Sequence, residues 1–312
     1  MAEQAFLDDL EIAVVIPCLN EAATIGKVVA EVRQALPEAK IYVYDNGSTD
    51  NTAEVAKVAG ARVRFEPKPG KGRVLRTAFR DIEAQIFVMV DGDDTYDVSI
   101  LPQMVEQLIE QKLDMVVGDR LQSKAAHQRL GHFLGNRLFS GLISHLFEFE
   151  VRDPFSGLRV MTARFVKSFP SVSKGFEVET ELTVHAYDLD AAFIEVPVTY
   201  RQRPEDSHSK LKTFRDGLKI LRKLIWLYQM KKPMPFYGTW ALIWLGLSVV
   251  TFLIPLVEFL QTGQVSHFPT LIVSVGGFMM SLLLLAIGIL AESSNSNSRE
   301  VKRFLFRSSP HV

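Results

Sequence analysis

The sequence predicts an α/β domain on a mainly parallel sheet covered by helices on both faces, followed by two C-terminal transmembrane helices. Three observations predict it. Short apolar runs alternate with helix-patterned stretches along residues 1–210. Polar clusters stand where the apolar runs stop. Residues 236–291 are almost purely apolar, whereas 1–235 are charged and mixed. The chain has 312 residues, enough for one large or two modest domains. Its 35 Lys+Arg against 36 Asp+Glu give a formal net charge of -1, which argues against a nucleic-acid partner held by general phosphate neutralisation. The single cysteine, Cys18, excludes an internal disulfide framework and any CxxC metal or redox motif.

In order along the chain, Ile12–Pro17 is an apolar strand candidate followed by a helical stretch over Glu21–Leu36. Ile41–Tyr44 is the second strand, and Ser48, Thr49 and Asp50 offer caps for a helix through Ala59. Arg62–Phe65 is the third, with a Pro/Gly/Lys loop at 67–72 and a helix to about Ile82. Ile86–Val90 stops abruptly at Asp91-Gly92-Asp93-Asp94, a helix spans Ser99–Gln111, and Met115–Val117 runs into Gly118-Asp119-Arg120. In such sheets, ligands sit beyond the carboxyl ends of the strands. The polar clusters at 17–21, 45–50, 91–94 and 118–120 are therefore expected on one rim.

Phe236–Leu260 carries one charge, Glu258, and Phe268–Ala291 carries none; each is long enough to span hydrocarbon. Lys231 and Lys232 precede the first span, Arg299, Lys302, Arg303 and Arg307 follow the second, and the connector 261–267 has no Lys or Arg. The positive-inside rule then places both termini and the large domain in the cytoplasm, in an inner or plasma membrane. Leu211–Met230 reads as a basic amphipathic helix lying at the headgroup layer. The expected divisions are 1–210, 211–232, 233–292 and a tail, 293–312, with Ser293–Ser298 a flexible exit from the membrane.

Asp91 and Asp93, closely spaced at a strand end, are of the kind that holds a hard divalent cation, Mg2+ or Mn2+, beside a diphosphate. An acidic turn capping the next helix is the competing reading. Asp45 suits a nucleobase N–H or an Asx-type turn. Pro17, Asn20 and Glu21 equally admit a turn and cap. Lys71, in Gly70-Lys71-Gly72, is placed to meet phosphate, although the Walker spacing is missing. Arg120, Arg129, Arg137, Arg201, Arg203 and Lys210 supply cations whose planar or point charges suit phosphate, each with a solvated surface role as its alternative.

Together these stretches resemble glycosyltransferase family 2 with the GT-A fold, a Rossmann-like arrangement, and in particular its polyprenyl-phosphate branch of dolichol-phosphate mannose synthase-like and GtrB-like enzymes. The resemblance is carried by Ile16–Glu21, Asp45–Asp50, Gly70–Gly72, Asp91–Asp93, Gly118–Arg120, Asp153-Pro154-Phe155-Ser156-Gly157, and Glu195–Pro197 through Ser207–Leu211, in the family's order. It implies inverting transfer of a sugar from a nucleotide sugar to polyprenyl phosphate, undecaprenyl- or dolichyl-type, at the cytoplasmic leaflet. The donor would be a UDP-hexose, UDP-glucose by preference. The alternatives are transfer to a hydroxyl of a lipid-linked saccharide, or a membrane-tethered nucleotide-sugar sensor without turnover. Pro17, Glu21, Asp45, Lys71 and Asp91 would line the nucleotide-sugar site, with Asp91 and Asp93 on the metal. Arg120 with Arg129 or Arg137, and Arg203 with Lys210, would receive phosphate, and Asp153 would lie near the reacting centre. Asn46 departs from the pattern, standing where the family commonly has a second Asp. Membrane lipid is an implied partner, nucleic acid is not, and assembly into a homo-oligomer is left open.

Overall fold

The computed structural model describes residues 10–120, 130–170, 173, 175, 177–201 and 213–312. Among the described residues, seven strands form one sheet in the order β3-β2-β1-β4-β6-β5-β7. β1 (Ile12–Cys18) pairs in parallel with β2 (Lys40–Asp45) and β4 (Ile86–Met89), and β3 (Arg62–Phe65) continues beyond β2. β6 (Arg159–Thr162) inserts antiparallel between β4 and β5 (Met115–Asp119), and β7 (Phe193–Pro197) runs parallel to β5. The mixed α/β architecture expected from the alternation is present, with β6 as the one reversed strand.

The central strands are buried on both faces, which explains their continuous apolar runs. Successive side chains alternate in direction. Val14, Ile16, Val43 and Val88 face one core with α1 (Ile25–Ala35), α2 (Thr52–Val58) and α4 (Leu101–Glu110). Val15, Tyr44, Phe87 and Met89 face the other, with α3 (Lys71–Asp81). α1 buries Ile25, Val28, Val29 and Val32, the i, i+3, i+4, i+7 stripe of an amphipathic helix. α5 (Leu130–Phe147) follows β5. The second core is completed by α6 (Ala163–Ser168), which Thr162 caps by accepting from Phe165 N, and by α7 (Val178–Leu189).

The chain divides into two compact units, Met1–Leu224 with Arg303–Val312, and Ile225–Lys302. The division falls inside the basic helix, α8 (Thr213–Lys231), rather than at its ends. In the second unit, α9 (Pro233–Thr262) and α10 (Phe268–Ser308) are long and apolar enough to cross a membrane by length and composition. They pack through small residues. A Cβ on Gly277 would meet Ser248 Cβ at 3.3 Å, Ser248 Oγ donates to Ser274 O at 2.6 Å, and Ser281 Oγ donates to Ala241 O at 2.9 Å. α9 stops at Gly263, whose φ of 71° is open to glycine at little cost, and the Gly263 N–H donates to Phe259 O at 2.8 Å.

Residues 293–298 are not the flexible exit their composition suggests: α10 runs through them to Ser308. Polar side chains there have partners in the same unit. Asn295 Nδ2 donates to Lys231 O at 3.0 Å, Arg299 also bonds Lys231 O, and Glu292 accepts from Met234 N at 3.2 Å. The last ten residues belong to the first unit. Phe306 is buried in the core with Phe165 and Phe169, and the Arg164 guanidinium lies 4.7 Å from its ring centre. Arg303 donates to Asp188 O and Arg307 to Asp190, each at 2.9 Å.

Candidate active site

Because β1, β2, β4 and β5 are parallel in the sheet frame, their carboxyl ends bring Pro17, Glu21, Asp45, Asp91, Asp93 and Arg120 to one rim. The loops there are stitched together. Glu21 N donates to Thr52 Oγ1 at 2.8 Å, Asn20 N to Ser48 Oγ at 2.9 Å, and Asn20 Oδ1 accepts from Thr49 N at 2.7 Å. Thr24 Oγ1 donates to Gly92 O at 2.7 Å, tying the start of α1 to the acidic turn. A Cβ on Gly92 would lie 2.4 Å from Glu21 Oε2, so the Glu21 carboxylate rests directly over that turn. Asp45 Oδ1 accepts from Ser48 N at 3.1 Å, the turn geometry its sequence allowed.

Asp91 is pinned from two sides. Its Oδ1 accepts from Lys71 Nζ at 2.5 Å, and a Cβ on Gly157 would fall 2.2 Å from its Oδ2. Only a glycine at 157 lets the backbone approach this closely. Lys71 also reaches Glu179 Oε1 at 2.6 Å, so one buried ammonium joins two carboxylates. Burial alone would lower the Lys71 pKa, but Asp91 and Glu179 together hold it well above the ordinary value. Glu179 is pushed up by burial, with Lys71 opposing. Asp93, also buried, accepts from Thr95 Oγ1 at 2.5 Å and Thr95 N at 3.2 Å through Oδ1. Asp94, at φ 56°, takes Lys27 at 2.5 Å and Arg201 at 3.0 Å.

Across β4 the loop 153–157 supplies the opposite wall. Asp153 is fully buried and receives Arg120 Nε and Nη2 at 2.7 Å each, a bidentate fork. Burial works against the Arg120 charge, but Asp153 holds its pKa above the usual guanidinium value. The Arg120 guanidinium also lies 5.5 Å from the Tyr200 ring centre. Glu195 accepts from Asp153 N and Arg152 N at 2.8 Å each. Burial raises the Glu195 pKa. Tyr96 OH accepts from Gly157 N at 2.7 Å. The Arg159 guanidinium, fully buried, donates to Ser156 O, Pro154 O, Glu179 O and Thr183 Oγ1 at 3.0–3.2 Å. It fastens the 153–157 loop to the first turn of α7.

Of the expected phosphate-binding cations, Arg120 is engaged with Asp153, and Arg137 is exposed on α5. Arg129, Arg203 and Lys210 lie outside the described residues. Glu179, Tyr96 and Arg159 carry no expectation from the sequence, and Glu195 enters there only as the start of a motif stretch with no role attached. No signal in the sequence points to Glu179; only the structure shows that all positions of α7 but Tyr187 are buried, Glu179 and Glu181 included. Ionisable groups in such a place have partners.

Residues 13–167 match the model of glycosyl transferase family 2. Glycosyltransferase AglJ of Haloferax volcanii is 32% identical over 294 residues, spanning 93% of this chain and 95% of its own length. The chain belongs to glycosyl transferase family 2. This glycosyltransferase also resembles two other Haloferax volcanii proteins. The dolichyl-phosphate hexose transferase is 30% identical, over 72% of this chain and 96% of that protein. The low-salt glycan biosynthesis hexosyltransferase Agl6 is 30% identical, over 69% and 53%. Among solved structures, glucosyl-3-phosphoglycerate synthase from Mycobacterium tuberculosis, in complex with Mn2+, UDP-glucose and phosphoglyceric acid, matches with a TM-score of 0.58 and 25% identity. That match covers 73% of this chain and 82% of that one. The family 2 member described here is thus an enzyme of sugar transfer on a GT-A-like fold.

Proposed function

We propose that this glycosyltransferase moves a hexose from a nucleotide sugar, UDP-glucose by preference, onto a lipid-linked acceptor at the cytoplasmic face of a membrane. The observation that carries the reading is the rim itself: where the parallel strands end, Asp91 meets Lys71, and Asp153 of the 153–157 loop meets Arg120. Two anionic substrates need such a mixed-charge site to meet.

Asp91 and Asp93 fit a divalent ion. Both are hard oxygen donors, one oxygen of each is fixed by Lys71 or Thr95, and the absence of a side chain at Gly157 makes room for the Asp91 carboxylate. Among the described residues, no group of three or more His, Cys, Asp or Glu side chains forms a complete cage. A shell shared with substrate oxygens and water suits that donor count. Bound there, Mg2+ or Mn2+ would supply Lewis-acid stabilisation of the departing diphosphate. The chain's own residues do the rest: Lys71 orients Asp91, Arg159 and Tyr96 hold the 153–157 loop, and Glu21 and Asp45 border the nucleotide side.

The acceptor best supported by the relatives is a lipid-linked glycan, since Agl6 is named for glycan biosynthesis. A second reading, polyprenyl phosphate itself, is supported by the dolichyl-phosphate hexose transferase and by one observation at the site. Both Asp153 oxygens are committed to Arg120, and a phosphate monoester, largely ionised at neutral pH, needs no base to take a proton. α8 supports the membrane seat: Leu218, Ile225, Trp226 and Met230 are exposed on the same helix as the exposed Lys219 and Arg222. The test is a panel of UDP- and GDP-sugars given to the full chain in detergent, with polyprenyl phosphate in one arm and a polyprenyl-diphosphate saccharide in the other. Products are read by mass spectrometry. Sugar on the saccharide supports the first acceptor, sugar on the phosphate supports the second, and no product in either arm defeats the proposal.

A further inference from the structure

Asn46, directly after β2, is buried, and each polar group of its amide has a backbone partner. Its Nδ2 donates to Glu66 O at 3.0 Å and Lys68 O at 2.8 Å, and its Oδ1 accepts from Gly70 N at 2.6 Å. Turning the amide over would set oxygen against two carbonyls and NH2 against an N–H, so the network fixes its orientation. The segment 66–70 has a second fastening through Glu66. Its N–H donates to Asp45 O at 2.9 Å, and its carboxylate accepts from Lys68 N at 3.0 Å and Thr77 Oγ1 at 2.5 Å. Gly70, at φ 127°, adopts a conformation that side-chain-bearing residues rarely reach, and Lys71 follows it as the first residue of α3.

We infer that Asn46 is a positioning residue for the nucleotide-sugar side of the site: its amide holds the 66–70 backbone so that Lys71 emerges between Asp91 and Glu179. Both of its N–H donors are used on the protein, so the amide does not read a nucleobase through them. Although the family commonly has aspartate at this place, that residue does not reproduce the contacts this chain's 66–70 backbone makes. An ionised carboxylate has no donor for the Glu66 and Lys68 carbonyls, and it would add a third acid beside Asp45 and Glu66. This deepens the proposed nucleotide-sugar reading and rests on it.

Donor counting and shape make opposite predictions, which gives the test. Asn46→Asp and Asn46→Ala are made in the full chain, and KM for UDP-hexose, KM for the lipid acceptor, kcat and the unfolding midpoint are measured for each. The amide role requires Ala to be the milder change, with kcat/KM for the donor falling roughly 3- to 10-fold for Ala and roughly 10- to 100-fold for Asp. The acceptor KM stays within about twofold in both, as expected of a change confined to the donor side. A space-filling role requires the reverse order, Asp milder than Ala, and that result overturns the inference. Equal rises in both KM values also overturn it. Asn46→Ala introduces no charge, and its KM split decides the matter alone if the Asp variant does not fold. Wild-type protein without turnover on any donor defeats the proposed function instead, so the two failures are told apart.

Discussion

Replacing Gly157 by alanine adds one methyl group to the active-site rim, and its cost follows from distances. The new Cβ would stand 2.2 Å from Asp91 Oδ2 and 2.7 Å from its Cγ. Ordinary contact demands a retreat of about 1.2 Å at the oxygen, and the Asp91 side chain is the part able to move. Moving away from Gly157 changes its bond to Lys71, now 2.5 Å, and its approach to the acidic turn. A displacement near 1 Å in catalytic geometry costs on the order of 100-fold in rate. We expect Gly157→Ala to lower kcat by that order and to raise the Mn2+ concentration needed for half-maximal transfer. The unfolding midpoint changes far less, since the Gly157 N–H to Tyr96 OH bond survives. The assay is transfer from radiolabelled nucleotide sugar across a Mn2+ titration, with thermal unfolding run alongside. If kcat and the metal requirement both stay within twofold of wild type, the claim that Asp91 is held by the backbone at 157 is wrong.

Other outcomes follow from the same geometry. Asp93→Ala should lose most transfer even at saturating Mn2+, and near-wild-type turnover there would remove Asp93 from the metal site. Asp153→Asn leaves the half-buried Arg120 without its counter-charge and should cost about 1–3 kcal/mol of stability, read by denaturant unfolding. Charge reversal at Lys219 and Arg222 should raise the KM for lipid acceptor more than the KM for nucleotide sugar. Lys223 is left out of that set because it pairs with Glu181 at 3.3 Å, so its reversal would test packing instead. Phe306→Ala should destabilise the catalytic unit by about 3–5 kcal/mol, the usual cost of emptying a buried aromatic site.

The parts of the fold legible in the sequence are those where one rule acts alone. β1, β2 and β4 are buried on both faces and bounded by turn residues, so an apolar run stopping at Asp91 marks the strand and the rim that holds the candidate site. β6 escaped because it is four residues long, antiparallel, and begins with Arg159, a charge that normally argues for the surface. Its burial is made possible by loop and helix carbonyls brought together only in three dimensions. The same holds for Glu179, which meets Lys71 across more than 100 positions of sequence. Lys71 was legible as a cation near the chemistry, but its two carboxylate partners were not. The run Ser293–Ser298 has a composition that favours flexibility, yet it is helical because the Lys231 carbonyl and neighbouring groups accept its polar side chains.

Phe306 fills a pocket in the first unit although it follows both apolar spans along the chain. During synthesis, every other layer of that unit emerges first, then both apolar helices, and only afterwards the aromatic plug. The newborn enzyme must therefore wait with an open hydrophobic slot until Phe306 has followed both spans out. A cut anywhere between the second span and Phe306 leaves a protein with the rim intact and its foundation unfinished.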